Sequence, residues 1–195
     1  NASRTTDLLY MRSDTLFKTM EDIRSAKEPP KCGATGTGTT GYMVPKLLEE
    51  TIGARFNVIT GYKGGNEVDL AVERGEVQCR AFSTTAFFGR EPFYTWRKTG
   101  FVRAIVQLGQ KRDSRLADVQ TLNELMEKYK TPEIGRRVAM IVTASEIFQR
   151  PYMGPPGLRA DHLKILRNAF EKTLKDPAFL EEVKSKKLDA EYTSG

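Results

Sequence analysis

A chain of 195 residues, 39% hydrophobic and 29% charged, has room for one large or two small domains and enough apolar content for a core, which excludes disorder over most of its length. No apolar run approaches the ~18 residues of a membrane helix, the longest being Val138-Ala139-Met140-Ile141-Val142. The formal charge of +6 is concentrated in residues 96–150, which carry 11 basic and 6 acidic residues. It occurs there as pairs such as Lys111-Arg112 and Arg136-Arg137 rather than as a stripe interleaved with aromatics, so no nucleic-acid partner is expected.

In chain order, residues 7–11 predict a short strand. Ser13 or Asp14 then caps a helix presenting Leu16, Phe17, Met20 and Ile23 at helical spacing, which stops before Pro29-Pro30. Residues 31–34 follow as a strand and lead into the loop Thr35-Gly36-Thr37-Gly38-Thr39-Thr40-Gly41. The next helix carries Met43, Val44, Leu47, Leu48 and Ile52 inward and ends on Gly53, a left-handed cap. Residues 56–60 predict another strand, broken by Tyr62-Lys63-Gly64-Gly65; Asn66 caps a helix that buries Val68, Ala71 and Val72 and ends at Arg74-Gly75. A third strand of this series, residues 77–82, runs into Ser83-Thr84-Thr85.

Further on, residues 101–108 predict a strand with Arg103 toward solvent, and Thr121-Leu122-Asn123-Glu124 is a capping box. A helix from Pro132 runs through Val138 and Ile141, and residues 149–157, with three prolines and two glycines, predict an extended crossing segment. Two helices close the chain. The first buries Leu163, Leu166, Phe170 and Leu174; the second opens on Asp176-Pro177 and buries Phe179, Leu180 and Val183.

Alternating strands and helices of this kind imply an α/β fold with a mainly parallel sheet, whose ligands sit at the carboxyl ends of the strands. Three loops converge there: residues 35–40, residues 63–66, and residues 83–85. Each offers backbone N–H groups and hydroxyls near a helix start, which suits an anion. Singly, each is also an ordinary turn or cap; three in register favour a site.

Other chemistry finds little support. Gly36, Gly38 and Gly41 match GxGxxG, but the positions about 20 residues on are Gly61, Tyr62 and Lys63, none of them the acid that a dinucleotide ribose needs. A helix opening at the second glycine would also hold Pro45 in its interior, and no GK[ST] follows. The single histidine, His162, falls early on the polar side of a helix, and Cys32 and Cys79 lack zinc-site or CxxC spacing, so neither metal nor cofactor is expected. Both cysteines fall in predicted parallel strands, where mid-strand geometry rarely suits a disulfide, and two buried thiols are the plain reading. With no paired carboxylates or activated nucleophile, a binding protein rather than an enzyme is expected.

The loop at 35–40, Gly61-Tyr62-Lys63-Gly64-Gly65, Arg74-Gly75-Glu76-Val77, Pro155-Pro156-Gly157 and Lys175-Asp176-Pro177-Ala178-Phe179-Leu180 occur in this order. As an ordered set they resemble the extracytoplasmic solute receptors of the tripartite tricarboxylate transporter family, the Bug-type proteins. That resemblance implies a periplasmic-binding-protein type II-like fold: a clamshell that closes over a small carboxylate in the periplasm and delivers it to membrane permease subunits. It implies an inter-lobe crossing at residues 1–13, a ligand-binding lobe at 14–118, and a C-terminal helical return to the other, incomplete lobe at 119–195. Carried across by motif, Thr35, Gly36, Thr37, Gly38, Thr39 and Thr40 hold the carboxylate, and Lys63, Gly64, Gly65, Ser83 and Thr84 line the same side. Tyr42 stands where many members have His, and Arg159 where the usual motif has a second Pro. The start at Asn1, with neither an initiator Met nor a basic-then-apolar leader, is expected of a processed or excised piece. An effector-sensing domain of a transcription regulator and a nucleotide-binding enzyme domain are the alternatives.

Overall fold

Short runs of apolar residues, set apart by the turn and cap signals above, form the strands Asp7–Arg12 (β1), Lys31–Gly33 (β2), Asn57–Ile59 (β3), Cys79–Ser83 (β4) and Val102–Gln107 (β5). The structure is a computed structural model and describes residues 6–148, 152–186, 188, 190 and 192. One sheet results, in the order β3-β2-β4-β1-β5. β2 runs parallel to β3 and β4, while β1 runs antiparallel to both β4 and β5. The sheet is therefore mainly parallel, with the first strand inserted against the common direction. Its sequence is apolar on both faces, Leu8, Leu9, Tyr10 and Met11 all being buried, which is the signature of a central strand.

The helices are Met20–Ser25 (α1), Thr40–Ile52 (α2), Gly65–Arg74 (α3), Thr84–Gly89 (α4), Phe93–Lys98 (α5), Leu122–Lys128 (α6), Glu133–Phe148 (α7), Ala160–Lys175 (α8) and Pro177–Ser185 (α9). The chain divides into two compact units, Thr6–Thr143 and one built on Ala144–Gly195. In the first, strand alternation sorts the core onto two faces. Leu9, Met11, Cys32, Cys79 and Ala81 pack with α1, α2 and α6. Leu8, Tyr10 and Phe82 face α3, α4 and α5, where the Tyr10 ring lies 5.5 Å from Phe82, 5.9 Å from Phe87 and 5.7 Å from Phe93. Among the described residues, no helix is long and apolar enough to cross a membrane.

Several local signals are realised as expected. Thr121 and Glu124 form the capping box of α6, Asp176 caps α9 with Pro177 in its first turn, and Gly53 and Gly75 end α2 and α3 with φ of 70° and 78°. Cys32 and Cys79 are free and buried.

Other expectations need correction. The first helix starts not at Ser13 or Asp14 but after Thr19, because Thr19 and Asp22 satisfy a complete capping box there, and Leu16 is left 89% exposed. Gly64, not Asn66, stands at the start of α3. The helices α4 and α5, each only six residues long, are too short to announce themselves by periodicity. Met43 is 41% exposed rather than inward. Arg103 does not simply face water, since its Nη2 donates to Ser13 O at 2.7 Å across 90 residues of chain.

In the second unit Leu174 is buried, but Leu166 and Leu180 are exposed. The described part of that unit is essentially two helices and an irregular segment, too few elements to supply a second layer over an amphipathic stripe. Of the expected crossing at 149–157, residues 149–151 lie outside the described residues, and 152–157 form no helix or strand.

Candidate functional site

Parallel strands expose their carboxyl ends at one edge of a sheet, and here β2 and β4 are adjacent, with Cys32 opposite Cys79. β1 enters from the same edge, Asp7 pairing with Ser83. A cavity of about 280 Å³ opens at this edge. Gly33, Ala34 and Thr35 line it from the end of β2, and Arg80, Ala81, Phe82 and Ser83 from β4. Thr39, Thr40 and Gly41 contribute the start of α2, Val68 comes from α3, and Asp7 closes the β1 side.

The start of α2 is shaped for this position. Thr39 precedes the helix but gives it no side-chain cap; instead its Oγ1 donates to Gly36 O at 2.7 Å. An uncapped helix start leaves first-turn N–H groups without intrahelical partners. A Cβ on Gly41 would lie 3.2 Å from Gly33 O and 3.2 Å from the Ala34 Cβ, so only glycine lets the helix begin this close to the strand end. Pro45 sits inside α2 even though the helix opens after the second glycine of the loop, at Thr40. Lacking an N–H, it cannot bond the Gly41 carbonyl one turn back.

Of the sequence-predicted site residues, Thr35, Thr39, Thr40 and Ser83 come together in the lining. Gly36, Thr37 and Gly38 belong to the same loop but stand outside the lining, with Thr37 and Gly38 exposed. Lys63, Gly64 and Gly65 also stand outside it, at the start of α3. The Lys63 N–H donates to Glu67 Oε2 at 2.8 Å, and Gly65 O accepts from Arg80 Nη1 at 3.1 Å. Thr84 is buried, and both its N–H and its Oγ1 donate to Thr6 O, at 2.8 and 2.9 Å, tying the chain before β1 to the end of β4. Ser83 Oγ accepts from Ala86 N at 3.4 Å and so caps α4.

Sequence reasoning missed Asp7 and Arg80. A signal for Arg80 was present: alternation along Cys-Arg-Ala-Phe-Ser puts Arg80 on the same face as Phe82, and a cation on a central strand requires a buried partner. That partner is Asp69 on α3, which forms an ion pair with Arg80 and stands 3.5 Å from Arg90 Nη2. Burial pushes the Asp69 carboxyl up against the pull of Arg80. The Asp7 carboxyl is likewise raised by burial, opposed by a hydrogen bond with the Thr40 side chain. Hydroxyls, an uncapped helix start, the Arg80 guanidinium and the Asp7 carboxyl thus line one space. Among the described residues, no group of three or more His, Cys, Asp or Glu gathers to hold a metal.

A family model described as tripartite tricarboxylate transporter family receptor, TctC, matches residues 1–195. No curated protein matches the sequence. Among solved structures, the chain is similar to a TctC solute-binding protein from Polaromonas, solved with no ligand, with a TM-score of 0.67 and 17% identity over 100% of this chain and 62% of that one. It is similar to R. palustris Rpa4515 with adipate, with a TM-score of 0.61 and 15% identity over 98% and 59% of the two chains. MatC from Rhodopseudomonas palustris with bound malate gives a TM-score of 0.52 and 18% identity over 74% and 53%. At these identities the likeness is one of fold, the α/β periplasmic-binding-protein type with a mainly parallel sheet flanked by helices. The chain spans 62% of the length of the Polaromonas protein and 59% of Rpa4515.

Proposed function

The chain belongs to the tripartite tricarboxylate transporter receptor family, and from that premise we propose that it captures a small carboxylate in the periplasm and hands it to membrane permease subunits, without catalysis. Residues 14–118 serve as the ligand-binding lobe, residues 1–13 as the crossing into it and residues 119–195 as the return. The observation that carries this reading is the cavity at the ends of β2 and β4, where Thr35, Thr39, Thr40 and Ser83 meet the uncapped start of α2. Backbone N–H groups and hydroxyls at a helix start recognise a carboxylate by its charge and its lone pairs. In this reading Gly36, Thr37 and Gly38 shape the loop that carries those groups, while Lys63, Gly64, Gly65 and Thr84 support the wall behind them. The adipate and malate of the R. palustris proteins are the natural first ligands to try.

Titration calorimetry with adipate, malate and the neutral diamide adipamide tests the reading. Saturable binding of at least one of the two acids, and none of adipamide, is the expected result. A folded chain that takes up neither acid, or that binds adipamide equally well, overturns it.

A further inference from the structure

Asp7 stands out because it is the one acid in the lining of a cavity read as an anion site. It opens β1 opposite Ser83 of β4, and strand alternation puts it with Leu9 and Met11 on the face of the sheet that packs against α2. Its carboxyl accepts a hydrogen bond from the side chain of Thr40, the first residue of α2. Asp7 therefore stands beside the helix start that the ligand carboxylate of the proposed function would occupy.

The other charged groups around Asp7 come from four sides. β4 brings Arg80, but alternation sets that side chain with Phe82 on the opposite face of the sheet, where Asp69 of α3 pairs with it and Arg90 stands 3.5 Å from the same carboxyl. α2 has no acid or base in its first turn, and Lys46 and Glu49 further along pair with each other. On the β5 side, Gln107 is neutral, and the turn in which Gly109 lies against Thr6 carries Lys111, whose side chain is exposed to water.

The Thr40 hydroxyl has one hydrogen to donate. An ionised Asp7 takes that hydrogen, and its charge repels a second carboxylate about one side chain away. A protonated Asp7 donates to Thr40 Oγ1 instead, which removes the repulsion and turns the Thr40 hydrogen toward the ligand. One proton thus converts a competitor of the ligand into a support for it. Burial already raises the Asp7 carboxyl above the ordinary aspartate value of 3.8, against the pull of the Thr40 bond, and an anion beside it raises it further.

We propose that the cavity captures a carboxylate together with a proton on Asp7, so that ligand affinity is linked to pH. This rests on the reading of the cavity as a carboxylate site. Where free Asp7 is already protonated, affinity does not change with pH. Where free Asp7 is ionised but Asp7 beside the ligand is not, affinity falls as pH rises, by at most about tenfold per unit for one proton.

Calorimetric titrations with malate and with adipate between about pH 5 and 8, in two buffers of different ionisation heat, count the protons taken up. Asp7→Asn is the comparison, since its amide donates to Thr40 without charge; the ionisation of the ligand is common to both proteins and cancels. The parent should take up an excess of as much as about one proton over the variant, and the variant's advantage in affinity should widen with pH to about tenfold or more. Equal proton uptake, with an affinity ratio that does not change with pH, overturns the inference and leaves the carboxylate site standing. Should the variant fail to fold, the parent alone decides: uptake no greater than the ligand's own ionisation requires overturns the inference. A folded parent that binds neither acid overturns the site itself and this inference with it.

Discussion

Cys32 on β2 and Cys79 on β4 stand directly opposite each other across a parallel strand pair, both fully buried and both free thiols. Burial pushes the Cys79 thiol well up, and its S–H donates to Lys31 O at 3.5 Å. A thiol that is neither ionised nor reached by solvent is a poor nucleophile. Titration of the native protein with an aromatic disulfide reagent at pH 8 should therefore show no fast-reacting thiol, and two should appear on unfolding in guanidinium. Rapid reaction of either cysteine in the native state would show that β2 and β4 open locally.

Among the described residues, Tyr10 carries the one hydroxyl on the buried rings of the aromatic cluster, and that hydroxyl is without a hydrogen-bond partner. A buried polar group left unpaired costs about 1–3 kcal/mol. Tyr10→Phe keeps the ring contacts and removes the orphan, so it should stabilise the fold by roughly 1 kcal/mol. For a chain of this size that is a rise of about 2–4 °C in thermal midpoint. A lower midpoint for the variant would mean that the hydroxyl is satisfied in solution.

The glycines near the cavity should divide by what surrounds them. A Cβ on Gly33 would meet Val68 Cγ1 at 2.6 Å, whereas nothing lies within 4 Å of the same position on Gly38. Gly33→Ala should cost about 1–3 kcal/mol through overpacking of α3 against β2. Gly38→Ala should stay within about 0.5 kcal/mol of the parent, as surface changes do. Denaturant melts of the two variants decide this, and equal stabilities would contradict the packing seen at β2.

Asp113 shows how stability should depend on acidity. Its carboxylate accepts from Arg115 Nε and Nη2, at 2.9 and 2.6 Å, and from Arg115 N at 2.8 Å, and these contacts hold it below the ordinary aspartate value of 3.8. A carboxyl lowered in the folded state contributes stability above its unfolded value and loses that contribution as pH falls through the folded one. Asp113 stands at the start of the short 3-10 turn Ser114–Leu116, and Asp113→Ala should cost about 1 kcal/mol at pH 7, the usual worth of a cap. The gap from the parent should narrow at pH 2–3. A gap that is constant with pH would assign the effect to packing rather than charge.

Much of this molecule is written in short stretches of its own chain. Thr121 with Glu124, Asp176 with Pro177, and Gly53 and Gly75 work through partners within about one helical turn, so their residue types alone announce the ends of α6, α9, α2 and α3. The order of the motifs was likewise enough to point to the receptor family that matches residues 1–195. The loop at 35–40 was legible as an anion-binding candidate because its hydroxyls and glycines precede a helix.

The composition of the cavity wall was decided elsewhere. Arg80 meets Asp69 across 11 residues, Thr84 meets Thr6 across 78, and Asp7 comes beside Ser83 only because β1 inserts antiparallel between β4 and β5. A strand's alternation states which residues share a face but not which strand lies beside it, or in which direction. For that reason the chain alone was silent on Asp7 and Arg80, whereas the tertiary pairing of β1, β2 and β4 determined which side chains line the cavity.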